Sequence, residues 1–159
     1  MKRRMQSPVG QAVKWVVAAL VLAPTVALAD ENLDWLEAEG TVAEAADRLQ
    51  AVVEAAGATV FARVDHAAGA EEAGMSLPES QLLVFGNPKL GTPVIMRNFR
   101  AGLVLPLRVL VVEDEGQTWF VTQDTVQMMD SVNVDGEVEG VAAIDEALIQ
   151  LTEKAAKAE

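Results

Sequence analysis

The feature that most constrains the fold is a pair of segments with helical spacing of apolar residues, which bracket most of the strand-like segments. The first begins with Thr41 and Glu44, which form a T-x-x-E capping box, and it ends at Gly57. Its apolar residues recur as on one face of a helix: Val42, Ala45, Leu49, Val52, Val53 and Ala56. The second segment repeats this spacing near the end of the chain: Val141, Ile144, Leu148, Leu151 and Ala155. The sequence therefore predicts two amphipathic helices.

Strand patterns occupy five other segments: 33–39, 59–65, 82–85, 107–112 and 117–123. The last two flank Asp114-Glu115-Gly116, a turn sequence typical of a hairpin, and the apolar run 82–85 predicts a strand buried on both faces or in an interface. We expect a short helix that begins at Pro93 and is capped by Thr92, and one helical turn within 66–79. The segment 124–140 shows no clear pattern. This order predicts an α+β fold, a small antiparallel or mixed sheet with helices packed on one face (β-α-β-sheet-α).

The first 29 residues have the layout of a secretion signal. Basic residues (Lys2, Arg3 and Arg4) precede an apolar run over 15–22, and Ala27-Leu28-Ala29 follows with small residues at both outer positions. The apolar stretch is shorter than the roughly 20 residues needed to span a bilayer, and Pro24 interrupts it, so we expect no stable membrane insertion. The sequence predicts a cleavable signal peptide over 1–29, one domain over 30–159, and a periplasmic or secreted protein cut between Ala29 and Asp30.

The net negative charge of the chain limits the classes of partner that it can bind. Removal of the signal takes away four of the 12 Lys and Arg and none of the 24 Asp and Glu, so the formal charge changes from −12 to −16. Such a surface repels phosphate backbones and anionic lipid, so we expect no nucleic-acid partner. The chain has no cysteine, which excludes disulfides, thiolate nucleophiles and cysteine metal sites.

Three further segments carry a family resemblance. These are the run from Phe61 to Ala70, the run from Leu83 to Pro93 (LVFGNPKLGTP) and the run from Leu105 to Val111 with its following Glu115-Gly116 turn. Together they cover roughly residues 40–125 in the order of the domain of unknown function 302 family (DUF302), which the chain resembles. The resemblance implies a compact β-α-β-sheet-α domain that is often a homodimer, with no assigned reaction.

His66, the only histidine, is the candidate catalytic residue. It follows Asp65 at a predicted strand end, and a carboxylate at 71 or 72 would orient its imidazole as a general base. The alternative is that His66 caps the loop through hydrogen bonds to the backbone.

The second group of candidate residues is a ligand-binding loop: Gly86, Asn87, Lys89 and Thr92. A turn that leads into a helix, with an amide and an ammonium group, suits a small polar or anionic ligand. If the strands that end at His66 and at Gly86 enter their loops at one edge of the sheet, both groups converge on a single cleft. The alternative is that Gly86, Asn87 and Pro88 only build a tight turn.

These residues leave three functions open. The favoured one is a dimeric binding or interaction module for a small ligand or partner. The second is an enzyme, hydrolase-like or other, with His66 as general base. The third is a copper or haem accessory protein that uses His66 with Met75 or Met96. We expect no metal site and no cofactor, since one histidine without a suitable spacing provides too few ligands for zinc.

Overall fold

The computed structural model describes residues 32–158; the predicted signal peptide and its cleavage site lie outside them. The strands are β1 (Leu33–Ala38), β2 (Thr59–Asp65), β3 (Ser80–Gly86), β4 (Leu107–Asp114) and β5 (Gln117–Gln123). The helices are α1 (Val42–Ala55), α2 (His66–Glu72), α3 (Pro88–Arg97), α4 (Thr125–Asp130) and α5 (Val141–Ala156), and a 3-10 turn spans Phe99–Leu103. None of these helices is long and apolar enough to cross a membrane.

The five strands form one sheet in the order β1-β5-β4-β3-β2, with every neighbouring pair antiparallel. The β4–β5 hairpin turns at Glu115 and Gly116, which both have positive φ, 50° and 82°. Two positive φ angles twist a two-residue turn in the sense that antiparallel strands need. The predicted α+β class and the predicted hairpin are both confirmed.

One face of the sheet holds the core. Helices α1 and α5 pack on each other, and α1 packs on β3 and β4. Leu49 of α1 is 0% exposed and Leu148 of α5 is 5% exposed, so the predicted inner faces of both helices are confirmed. The sheet contributes alternate residues to this core, as a pleated strand requires: Leu83, Phe85, Leu107, Val109, Val111 and Phe120.

The intervening residues of β3, β4 and β5 form the opposite face, which we call the outer face. Its half-buried apolar residues are Leu82, Val84, Leu110, Val112 and Trp119, and the buried Val121 lies among them. Trp35 of β1 is 49% exposed and packs edge-to-face on Trp119, with ring centroids 6.1 Å apart. The apolar run 82–85 is therefore buried on one side only, and its other side belongs to this outer face.

Two local predictions need correction. Helix α3 begins at Pro88 rather than at Pro93, because extended Asn87 accepts a hydrogen bond from the amide of Lys89 and Pro88 has the φ that a first helical residue needs. Pro93 consequently lies inside the helix. The segment 66–79 contains the seven-residue helix α2 rather than a single turn.

Candidate ligand-binding cleft

A concave, mainly apolar surface lies where β3 runs into α3. A cleft of about 540 Å³ opens there between the C-terminal parts of α1 and α5 on one side and α3 on the other. The segment 102–107, which leads into β4, and Phe61 of β2 complete its walls. Volumes of this order are typical of sites for small organic molecules.

Small side chains keep this space open. Seven of the 22 lining residues are glycine or alanine: Ala55, Ala56, Ala58, Gly86, Gly91, Gly102 and Ala147. At Gly86 a β-carbon would lie 3.3 Å from Cβ of Pro106 and 3.4 Å from Cε2 of Phe61. A larger residue at this strand end would push against both walls, so glycine permits their close approach.

The lining has a distinct polarity. None of its 22 residues is Asp or Glu, and Lys154 near the end of α5 is its one charged member. Its polar side chains are those of Asn87, Thr92 and Gln150. The Oδ1 atom of Asn87 accepts a hydrogen bond from the amide of Lys89 at 3.0 Å, which fixes this side chain at the start of α3.

Three of the residues predicted from the sequence meet in this cleft. Gly86, Asn87 and Thr92 line it, whereas Lys89 is exposed and does not. The tight turn is also present, because Asn87 is the N-cap of α3 and Pro88 its first residue. The turn and the cleft wall are therefore the same residues, and their role in binding a ligand stays a prediction.

His66 lies elsewhere. Strands β2 and β3 are neighbours but antiparallel, so Thr59 pairs with Gly86 and Asp65 with Gln81. His66 follows Asp65 and is therefore about six strand residues, or roughly 20 Å, from the Gly86 end of β3. The expectation that His66 and the 86–92 loop enter one cleft at one sheet edge is wrong, because the antiparallel pairing sends them to opposite ends.

The acidic residues nearest to His66 in the sequence do not face it in a way that would orient its imidazole. The Asp65 carboxylate caps α2 by accepting a hydrogen bond from the amide of Ala68 at 2.8 Å. Glu71 and Glu72 follow His66 on the same helix by five and six positions, whereas only residues three or four apart face each other. Across residues 32–158 no group of three or more His, Asp and Glu side chains comes together as a metal site would require.

The copper or haem hypothesis requires Met75 or Met96 to lie close to His66. Met75 lines a separate cleft of about 570 Å³ beside α2, and His66 is not among the residues that line it. Met96 lies on α3, which follows the opposite end of β3, and its side chain is 81% exposed. In residues 32–158, the cleft that Met75 lines is therefore not one that His66 lines.

Sequence reasoning missed most of the cleft. Phe61, Ala147 and Lys154 belong to elements that were predicted correctly, but nothing local connects them with the 86–92 loop. The available signal was the run of small residues at the end of α1, Ala55 to Ala58, where larger side chains would have filled the space.

Comparison with known proteins identifies the family of the domain and a solved structure with a similar fold. The family described as "Domain of unknown function DUF302" matches residues 36–157, which confirms the resemblance inferred from the sequence. The crystal structure of an uncharacterized conserved DUF302 protein from Bacillus stearothermophilus is similar, with a TM-score of 0.73 and 18% identity over 79% of this chain and 98% of that one. At this identity the likeness concerns the fold.

Two similar proteins have a functional name. The protein named "Fluoride-specific ion channel FluC 1" of Brucella suis biovar 1 (strain 1330) is 41% identical over 102 residues, which are 64% of this chain and 40% of that protein. The protein of the same name from Brucella abortus biovar 1 (strain 9-941) is also 41% identical over 102 residues, 38% of its length. This chain thus spans about two fifths of these relatives.

Proposed function

The chain belongs to the DUF302 family of domains of unknown function, and from that premise we propose that it is an exported, dimeric binding module. Its ligand is a small, mainly apolar molecule that occupies the cleft between α1, α3 and α5. The observation that carries the proposal is this cleft of about 540 Å³, which small side chains hold open beside the predicted residues Gly86, Asn87 and Thr92.

Physical considerations favour binding over catalysis at this place. The walls are largely aliphatic, and burial of an apolar ligand against them stabilises a complex by roughly 25 cal/mol for each Å² removed from water. The polar groups of the lining are amides, a hydroxyl and one ammonium group. These groups orient a ligand through hydrogen bonds, whereas an acid–base pair for proton transfer is missing from the lining.

A variant that fills the cleft tests the proposal. Ala147 lines the cleft from α5 and Ala142 is exposed on the same helix outside it. We expect Ala147→Phe to abolish binding of 1-octanol, followed by NMR chemical shifts of the purified protein, and Ala142→Phe to leave it unchanged. If 1-octanol shifts no resonances of the cleft residues in the wild-type protein, the proposed function is wrong.

Export is part of the proposal and rests on the predicted signal over 1–29. The acidity of the remaining chain, with eight Lys and Arg against 24 Asp and Glu, keeps a small exported protein soluble at high concentration. Fractionation of the native host shows the compartment, and native mass spectrometry of the protein purified from that fraction gives its bound ligand and its stoichiometry. A protein recovered from the cytoplasm at full length contradicts this part.

The homodimer is supported by the outer face. Its apolar side chains lie on the side of the sheet opposite the core, and two such faces together provide sheet-on-sheet packing of the kind seen in sandwiches. Trp35 is 49% exposed, so a partner would bury much of its side chain. Tryptophan is enriched in the buried centres of interfaces.

A second candidate function comes from the relatives. Proteins named fluoride-specific ion channels contain a region that is 41% identical to 102 residues of this chain. The corresponding proposal is that this domain contributes to the function of a fluoride channel in its host. It predicts that deletion of the gene sensitises the native host to fluoride, and unchanged sensitivity would count against it.

A further inference from the structure

The charge of the cleft differs from that of the protein around it. The sequence has twice as many Asp and Glu as Lys and Arg, 24 against 12. Yet the 22 residues of the lining include no carboxylate and one cation, Lys154. The lining of the cleft thus carries a single positive charge and is otherwise uncharged, on a strongly acidic molecule.

Among residues 32–158, Lys154 forms no ion pair. It lies in the last turn of α5, and the residues three and four positions away on either side are Gln150, Leu151, Lys157 and Ala158. Within the part of the chain that the structure describes, ion pairs link Arg63 to Asp47 and Arg97 to Glu139, and neither involves Lys154. A lysine at a helix C-terminus interacts favourably with the helix dipole, but this leaves its three N–H donors available.

We propose that the ligand of this cleft is an apolar molecule that carries one carboxylate, which pairs with Lys154. This inference rests on the proposed function, because it names the chemical class of the ligand for the same cleft. The aliphatic walls hold the body of the ligand, and Gln150, one turn before Lys154 on the helix, provides an amide donor near the head group.

The charge pattern favours a carboxylate over a neutral ligand for a physical reason. The negative field of the whole protein opposes the approach of an anion, so a site for one must exclude carboxylates from its own walls. That is the composition observed. Apolar walls disfavour carboxylates for a neutral ligand too, because burial of a charge is costly, but a neutral ligand has no need of Lys154 beside them. A site for a cation would hold acidic side chains.

The cleft also argues for a monoanion of moderate size. One lysine matches one negative charge, and the remaining polar side chains, Asn87, Thr92 and Gln150, are neutral. A volume of about 540 Å³ suits a ligand smaller than a phospholipid. A medium-chain fatty acid and an aromatic acid have the same pattern of an apolar body with one carboxylate at its end.

Octanoate and 1-octanol form the test pair, because they share the apolar chain and differ in the head group. We expect the wild-type protein to bind octanoate about fivefold more tightly than 1-octanol in calorimetric titrations at neutral pH, which is the range for a solvent-accessible ion pair. Lys154→Gln removes this preference, so that the variant binds octanoate no more tightly than 1-octanol. Lys154→Arg keeps the charge and retains the preference.

Lys157→Gln is the matched control, since it removes the same charge three residues further along and outside the cleft. It keeps the preference for octanoate if the effect belongs to Lys154. High salt reduces the preference because it screens an exposed pair. Melting temperatures of all variants separate loss of binding from loss of folding.

The outcomes distinguish the two proposals. If 1-octanol binds and octanoate binds no better, the carboxylate inference is overturned and the proposed function stands. The inference is also overturned if Lys157→Gln removes the preference as fully as Lys154→Gln does. If neither compound binds the wild-type protein, the proposed function itself fails.

Discussion

Replacement of Leu49 by alanine tests the packing that holds the two principal helices on the sheet. Leu49 lies in the middle of α1 and is 0% exposed. It belongs to the same buried cluster as Phe85 and Phe120 of the sheet and Leu148 of α5. Truncation at Leu49 therefore leaves a space within this buried cluster.

The expected cost follows from this burial. Buried Leu→Ala substitutions lower the free energy of unfolding by about 2–5 kcal/mol, and the larger values belong to sites that cannot collapse around the cavity. Leu49 is fully buried in a cluster to which both helices and the sheet contribute, so we expect about 3–4 kcal/mol. A domain of this size has a total stability of roughly 5–15 kcal/mol, so the variant folds but unfolds at a clearly lower denaturant concentration.

Urea unfolding followed by far-ultraviolet circular dichroism measures this difference. Protein concentration must be equal for all variants, because dimer formation makes the apparent stability concentration-dependent. Ile149→Ala is the control: it removes a similar aliphatic side chain from α5, but Ile149 is 48% exposed, so we expect a loss of less than about 1 kcal/mol. Equal midpoints for Leu49→Ala and the wild type would refute the packing described for α1.

Three further predictions concern the cap of α1, the dimer and the signal. The hydroxyl of Thr41 accepts a hydrogen bond from the amide of Glu44, whose carboxylate accepts one from the amide of Thr41 at 2.9 Å, so Thr41→Ala should lower the free energy of unfolding by about 1 kcal/mol. The backbone amide and then the hydroxyl of Thr41 lower the pKa of Glu44 below its ordinary value of 4.5. The stabilisation that the Glu44 carboxylate provides is therefore complete above that value and is lost as the pH falls through the lower pKa of the folded protein. Glu44→Gln should weaken this acid dependence in unfolding curves. Val112→Asp places a charge on the outer face and should convert the dimer to a monomer in light scattering, whereas a wild-type protein that is already monomeric would contradict the proposed interface. Intact-mass analysis of the exported protein should give a chain that begins at Asp30, and a mass that includes the first 29 residues would show that the signal is retained.

Local signals account for the elements that the sequence predicted well. The reciprocal hydrogen bonds of Thr41 and Glu44 involve residues three positions apart, and Gly57 adopts a positive φ of 77° just after α1. The hairpin turn at Glu115 and Gly116 is equally local. Such features depend on a few neighbouring residues, so a single sequence is sufficient to recognise them.

The direction of strand pairing is a different kind of property. The 59–65 and 80–86 segments are separated by α2 and a loop, and the sequence of neither strand specifies whether the pair is parallel or antiparallel. The antiparallel register of Val64 with Leu82 decides that His66 and Gly86 lie at opposite ends. A candidate site that combined both residues depended on this non-local fact and was therefore the weakest part of the prediction.

The cleft, like the direction of strand pairing, depends on residues that are far apart in the sequence. Its open space results from small residues on elements that are distant in the chain: Ala55, Gly86, Gly102 and Ala147. Each is unremarkable in its own segment, because alanine is an ordinary helix residue and glycine an ordinary turn residue. The space becomes visible only when the helices are placed on the sheet.

The positions of the cleft and the outer face have one further consequence. Helices α1 and α5 cover the side of the sheet opposite the outer face, and the cleft opens among these helices. In a dimer formed through the outer faces, both clefts therefore face away from the interface and neither contributes to it. Two sites couple only if a ligand binds one state better than the other, and an interface on the outer faces would not touch the walls of the cleft. We accordingly expect octanoate to bind the dimer without cooperativity and to leave the concentration dependence of dimerisation in light scattering unchanged. A shift in that dependence on saturation with octanoate would mean that the ligand or the interface lies elsewhere.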